Sequence, residues 1–267
     1  MSVRLSPAIV ATAALACLAG CAGPARIQDG VAISDPYEAG NRRVHAFNKG
    51  LDARVIAPVA RRIKGDDQRP DDGRMGPEDL VINMGANLSL PGKAVNSLLQ
   101  GRPGPAVRNS ARFAVNSTLG VLGMFDPAGF SFDLTETDTD FGHTLAVWGV
   151  PEGAYLELPV LGPSTTRDTA GRVVDLFIDP LNHVLTDRQA ATAFVLRVAG
   201  KAAERARFGD TIEGVMQGSA DSYAQTRLIY LMHRRHDLGE QANDLDPYAA
   251  TGDDAGAIDP YADAAGG

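Results

Sequence analysis

Between residues 35 and 59 the apolar positions Tyr37, Val44, Phe47, Leu51, Val55 and Val59 recur at steps of three, four or seven. That spacing lines one face of an α-helix. Asp35-Pro36 reads as its start, with aspartate as N-cap and proline in the first turn, and Pro58 should kink or end it. Residues 77–100 read as further helix, broken at Pro91-Gly92 and stopped at Gly101. Pro103 or Pro105 opens another, "AVRNSARFAVNSTLG", whose small residues allow close helix approach. Two more helical stretches are expected at 187–207 and 210–236, the latter with Ile212, Val215, Tyr223 and Tyr230 at helical spacing. Between these groups the pattern changes. "LGVLGMFDPAGFSF" at 119–132 is apolar, yet Gly120, Gly123, Gly129 and Pro127 make it neither a regular strand nor a good helix. Such a segment is either a buried connector or a surface that meets something apolar. Residues 141–163 allow short strands or a hairpin, turning at Pro151-Glu152-Gly153. The pattern therefore predicts a mainly α-helical protein with room for one short hairpin. Residues 22–34 read as a flexible tether and 65–74 as a polar loop. Residues 240–267, acidic and with "DPYA" repeated, read as a disordered tail.

The chain has 267 residues and a net charge of −8, which supports one folded domain over 35–239 and argues against generic nucleic-acid binding. The polar side of the first helix is nevertheless basic, with Arg42, Arg43, Lys49, Arg54, Arg61, Arg62 and Lys64 against Glu38 and Asp52. A basic amphipathic helix can lie on an anionic membrane. The alternative is a solvated face over an ordinary core. No run after residue 25 has about 18 strongly apolar residues, so no conventional spanning helix is expected.

Both cysteines, Cys17 and Cys21, lie in "LACLAGCAGPARIQDG". Arg4 gives a short positive region, Leu5 to Ala16 an apolar one, and small residues then lead to Cys21. The Leu-Ala-Gly-Cys ending resembles a bacterial lipobox, in which the cysteine thiolate takes a diacylglyceryl group and the signal, here residues 1–20, is cut just before it. A spanning anchor fits less well, because the run is rich in Ala and Gly and interrupted by Pro7. Three acyl chains exceed the two that stable anchoring needs. Ala22 rather than Asp after the cysteine suggests the outer membrane. Cys21 is thus the expected lipid-attachment site, on the periplasmic face.

Catalytic signatures are missing: there is no G-x-S-x-G, H-E-x-x-H, P-loop or G-x-G-x-x-G. Ser164, Asp168 and His143 can be imagined as a triad, but Ser164 and Asp168 also make a plain helix-capping pattern. His233 and His236 share a helix face, with Arg234 and Arg235 between them opposing a metal cation. The carboxylate pairs Asp138/Asp140 and Asp253/Asp254 read as solvated charge. No catalytic residue, metal site or dissociable cofactor is expected.

Several stretches resemble the VacJ/MlaA family of outer-membrane phospholipid-transport lipoproteins. "DPYEAGNRRVHAFNKGLD" (35–52) resembles its opening, with Ala39-Gly40 departing from the usual pattern, and "AVNSLLQG" (94–101) and "RFAVNSTLGVLGMFDPA" (112–128) its middle. "DFGHTLAVWGVPEGAYLELPVLGPSTTRDTAGRVVD" (140–175) is similar throughout, and "DSYAQTRLIYLMHRRHDL" (221–238) resembles its closing helix. The resemblance implies a single helical ring embedded in the inner leaflet of the outer membrane. Misplaced outer-leaflet phospholipid would pass through it to a soluble periplasmic carrier feeding an inner-membrane ABC transporter, and a trimeric porin would be its membrane partner. On that implication Leu119, Gly120, Leu122, Gly123, Met124, Phe125 and Phe130 are candidates for the lipid path or its gate, with a buried connector as the alternative.

Overall fold

The computed structural model describes residues 26–28, 31–59, 75–207 and 220–239. Cys21, residues 22–25 and 29–30 of the expected tether, the loop at 65–74 and the tail at 240–267 lie outside the described residues. Part of the stretch expected to be a tether instead forms strand: β1 (Arg26–Gln28) pairs antiparallel with β2 (Val31–Ile33). The alternating β-branched residues Ile27, Val31 and Ile33 favour that pairing, and Ile33 is buried.

Helix α1 (Glu38–Leu51) has Tyr37 as N-cap, not Asp35. Asp35 instead accepts from Asn41 Nδ2 at 2.9 Å and from Tyr223 and Arg227, joining the two ends of the fold. After Leu51 the helix widens into a π-helical turn, Asp52–Ile56. Pro58 has no N–H to return to this turn, and π-helical turns occur where the regular ladder is interrupted.

Helix α2 (Pro77–Leu99) runs unbroken through Pro91, contrary to the expected break. An interior proline costs about 3 kcal/mol, and here packing on two sides offsets it. On one side lies α8 (Asp187–Arg207), on the other α3 (Pro103–Thr118), opened by Pro103. Gly101, at φ +70°, ends α2 as expected. The α2–α8 contact is close because Gly85 and Gly200 face each other: a Cβ on Gly200 would lie 3.2 Å from Gly85 Cα and 3.1 Å from Val81 O. Gly200→Val is therefore expected to lower stability by about 1–3 kcal/mol through overpacking, read from denaturant midpoints of the detergent-solubilised protein.

Beyond α3 come a turn, the short α4 (Pro127–Phe130) and a strap at 131–140 without regular structure. Then follow α5 (Phe141–Val147), strands β3 (Tyr155–Leu158) and β4 (Gly162–Thr165), α6 (Thr166–Ile178), α7 (Leu181–Val184), α8 and α9 (Ser222–Asp237). The hairpin exists, but it turns at 159–161, not at Pro151-Glu152-Gly153. Glu152 instead pairs with Arg235 at 2.9 Å, so the sequence's turn-like residues serve a tertiary tie. The capping pattern is displaced by one residue: Thr165, not Ser164, accepts from Asp168 N at 3.2 Å. The last expected helix is described only from Ser222, since 208–219 lie outside the described residues. Overall the architecture is mainly helical, as the pattern predicts, with α2 as its central post.

Candidate functional site

The interior is polar and much of the surface is apolar. Fully buried positions include Asn96, Ser97, Asn109, Thr144, Ser164, Thr165 and Arg167, whereas Leu122, Phe130, Val184, Phe177 and Val107 are each more than 60% exposed. The buried aliphatic and aromatic cluster is small: Ile33, Tyr155, Tyr223 and Leu231. Helix α1 shows the inversion most simply. Of its expected apolar face, Tyr37, Phe47, Val55 and Val59 are exposed, while Asn41 and His45 are the buried residues. The face-over-an-ordinary-core reading is thereby corrected. Asn41 and Asn48 look inward, to Tyr155 O at 3.1 Å and Leu158 O at 2.9 Å.

The loop at 119–132 divides the same way. Gly120 and Gly123 are buried, and their neighbours are pinned: Leu122 N donates to Ser117 O at 3.1 Å, Gly123 N to Asn116 O at 2.8 Å, and Asn83 Nδ2 to Met124 O at 3.2 Å. Asp126 anchors its far end, taking Arg112 Nη2 at 2.9 Å and Asn116 Nδ2 at 2.7 Å. Above this polar base, Leu119 (65%), Leu122 (69%) and Phe130 (69%) stand exposed, with Phe125 less so and Met124 half-buried. Val121 and Leu122 both have positive φ, +52° and +59°. Non-glycine residues reach that region at a cost, and such strain persists only where the surroundings enforce it.

The second feature is ionic. Asp168, nearly buried, receives Arg234 Nε and Nη2 at 3.0 Å and the Tyr230 hydroxyl at 2.6 Å. Burial by itself would raise the Asp168 carboxyl, but the Arg234 hydrogen bonds and charge, helped by Tyr230 and Arg167, hold it below the usual carboxylate range. Arg234 also reaches Asp140 at 2.7 Å. Asp138 and Asp140 are therefore paired, with Lys93 and Arg234, rather than merely solvated. The candidate triad is not assembled, because Asp168 is engaged by Arg234 and Tyr230 and Ser164 lies 3.0 Å from the Thr169 hydroxyl. His233 and His236 are exposed and lie 3.3 Å and 3.8 Å from Asp237. Among the described residues no three His, Cys, Asp or Glu side chains converge as metal ligands, and no helix is long and apolar enough to cross a membrane.

The third feature is a cavity of about 210 Å³ bounded by α2, the strap, α6 and α8. Lys93, Asn96, Asp140, Asp175, Asp179 and Arg197 line it. Pattern reading missed these residues, because they are scattered charges in sequence. The available signal was polar residues at helical steps, such as Lys93 and Asn96 on α2.

The sequence model of the MlaA lipoprotein family matches residues 33–237. The chain belongs to the MlaA lipoprotein family. It is 34% identical over 250 residues to the Escherichia coli K12 intermembrane phospholipid transport system lipoprotein MlaA, covering 92% of each chain. It is 32% identical over 161 residues to the Haemophilus influenzae protein of the same name, which spans 59% of this chain and 62% of that one. It is also similar to a solved structure reported as the structural basis for maintenance of bacterial outer membrane lipid asymmetry, with a TM-score of 0.61, 30% identity, and coverage of 77% of this chain and 99% of that chain. The MlaA match takes in the polar interior, the strained loop and the cavity, and leaves the acidic tail outside.

Proposed function

We propose that this protein sits in the outer membrane and passes mislocalised outer-leaflet phospholipid toward the periplasm, maintaining lipid asymmetry. The carrying observation is the inverted arrangement: exposed Leu, Phe and Val around buried Asn, Thr, Asp and Arg. Apolar side chains on the outside are stable against acyl chains, and a polar interior offers head groups a route that hydrocarbon does not. A helical body in a single leaflet needs no spanning helix, and its irregular backbone is tolerated where it is covered or lines a wet cavity. The ring-like form, the acylated Cys21 that anchors it, the porin beside it and the soluble carrier that receives the lipid belong to this proposal. So does transport without catalysis. The loop at 119–132 serves as the gate, with Leu119, Leu122, Met124, Phe125 and Phe130 meeting lipid while Gly120 and Gly123 hold the backbone down.

Deleting the gene is expected to raise outer-leaflet phospholipid, and the full chain to restore it. The mature N-terminus, by mass spectrometry, is expected to be acylated Cys21, and Cys21→Ala to leave an uncleaved, mislocalised precursor that does not restore asymmetry. Unchanged outer-leaflet phospholipid in the deletion strain would sink the transport reading. A mature N-terminus other than acylated Cys21 would sink the anchor.

A further inference from the structure

The cavity volume of about 210 Å³ is smaller than the roughly 300–1,000 Å³ that encloses drug-sized ligands. It suits a head group rather than a whole lipid. Asp175 is the unusual residue on its wall. Its carboxylate accepts from Asn96 Nδ2 at 2.7 Å and from Phe141 N at 3.1 Å, and among the described residues no cation pairs with it. The neighbouring acids do have cations: Asp179 has Arg197 at 2.6 Å and Asp140 has Arg234 at 2.7 Å. Burial, with Asp140 and Asp179 nearby, pushes the Asp175 carboxyl upward, the mark of a negative charge short of a partner.

The same wall offers positive charge that can be recruited. Lys93 Nζ is held by Glu136 and by Asp138 at 2.7 Å, and the Asp138 side chain is 86% exposed. Only the Asp138 arm is open: Lys93 is 17% and Glu136 25% exposed, so an incoming anion would displace Asp138 and leave Glu136 in place. Arg197 Nε is buried without an acceptor, so that guanidinium has unused donor capacity. Asn96, which orients Asp175, lies one turn along α2 from Lys93, so both poles line the same cavity. An anion without a paired cation and a cation with one exposed, displaceable partner, in one cavity, complement a zwitterion with a short spacer.

We propose that this cavity receives the phosphoethanolamine head group of an aminophospholipid, its ammonium on Asp175 and its phosphate toward Lys93. The assignment rests on the phospholipid-transport reading and names the head-group class. A phosphatidylglycerol head group brings no cation to Asp175, and an N-acylated ethanolamine has lost its charge.

The test uses full-length protein in detergent micelles containing equal amounts of phosphatidylethanolamine and phosphatidylglycerol, followed by re-isolation and lipid analysis. The wild-type chain is expected to retain several-fold more phosphatidylethanolamine, and N-acylated phosphatidylethanolamine to lose that advantage, a comparison that needs no variant. Asp175→Asn is expected to bring the two lipids to parity. Parity in the wild type, or enrichment that survives Asp175→Asn, overturns the head-group assignment while leaving transport intact. A wild-type chain that retains no phospholipid at all overturns both.

Discussion

Arg234→Met is expected to lower folding stability by about 3–5 kcal/mol, the usual cost of removing one partner from a buried ion pair. The side chain of Arg234 is 13% exposed and that of Asp168 only 4%. One guanidinium serves both oxygens of Asp168 and one oxygen of Asp140, so α9 is tied to α6 and to the start of α5 through a single residue. Asp140, 44% exposed, can be solvated when the arginine is lost. Asp168 cannot, and keeps a charge for which methionine offers nothing. The pH dependence follows from the direction of the shift. In the wild type Asp168 is depressed, so its contribution is present above the unfolded carboxylate value of about 3.9 and is lost as pH falls through the lower folded value. In the variant Tyr230 and Arg167 remain, but the largest lowering influence is gone, so the folded value of Asp168 rises. The deficit is then full at neutral pH and shrinks as pH approaches about 4. Urea midpoints of both proteins from pH 4 to 8 check this. A difference that does not change with pH would mean that Arg234 acts through packing alone.

Helical spacing was readable in the sequence, but which side faces inward was not. Of the stripe that the spacing put on one face, Tyr37, Phe47, Val55 and Val59 are exposed and Val44 and Leu51 half-buried. The rule that places such a stripe against a core assumes water outside. In the lipid surroundings proposed above, the informative stripe is the polar one. Asn41, His45 and Asn48 recur at steps of four and three on α1, and Asn109, Arg112 and Asn116 at steps of three and four on α3, and these residues make the interior contacts. Single residues misled where a tertiary partner outweighed a local preference. Asp35 looks like a cap but is taken by Tyr223 and Arg227, from 188 and 192 residues away. Pro91 looks like a break but lies in a helix packed on both sides. Asp175 carries no sequence signal, because its distinction is that among the described residues no cation pairs with it, which only the assembled cavity reveals.

In the loop at 119–132, Gly123→Val is expected to lower abundance sharply, and Leu122→Asn to leave abundance unchanged while impairing lipid passage. Gly123 has φ +87°, and a Cβ there would lie 2.5 Å from both Cβ and Nδ2 of Asn87. Asn87 is itself buried and gives its amide to Ser117 at 3.0 Å, so it cannot simply swing aside. Overpacking of about 1–3 kcal/mol and left-handed strain of a similar size then add, against a total stability of about 5–15 kcal/mol. Valine at 123 therefore reports on the connector that holds the loop. Leu122 is the opposite case. It is 69% exposed and already sits at φ +59°, a region that asparagine enters more easily than leucine. Asparagine should keep or slightly improve the backbone while removing an apolar side chain from the exposed rim. If the rim gates lipid, Leu122→Asn raises outer-leaflet phospholipid at normal protein level. If exposed Leu122 only covers a connector, lipid asymmetry in that strain matches the wild type, and the gating role falls. Base and rim are thus probed separately: Gly123→Val reads the stability of the connector and Leu122→Asn reads passage.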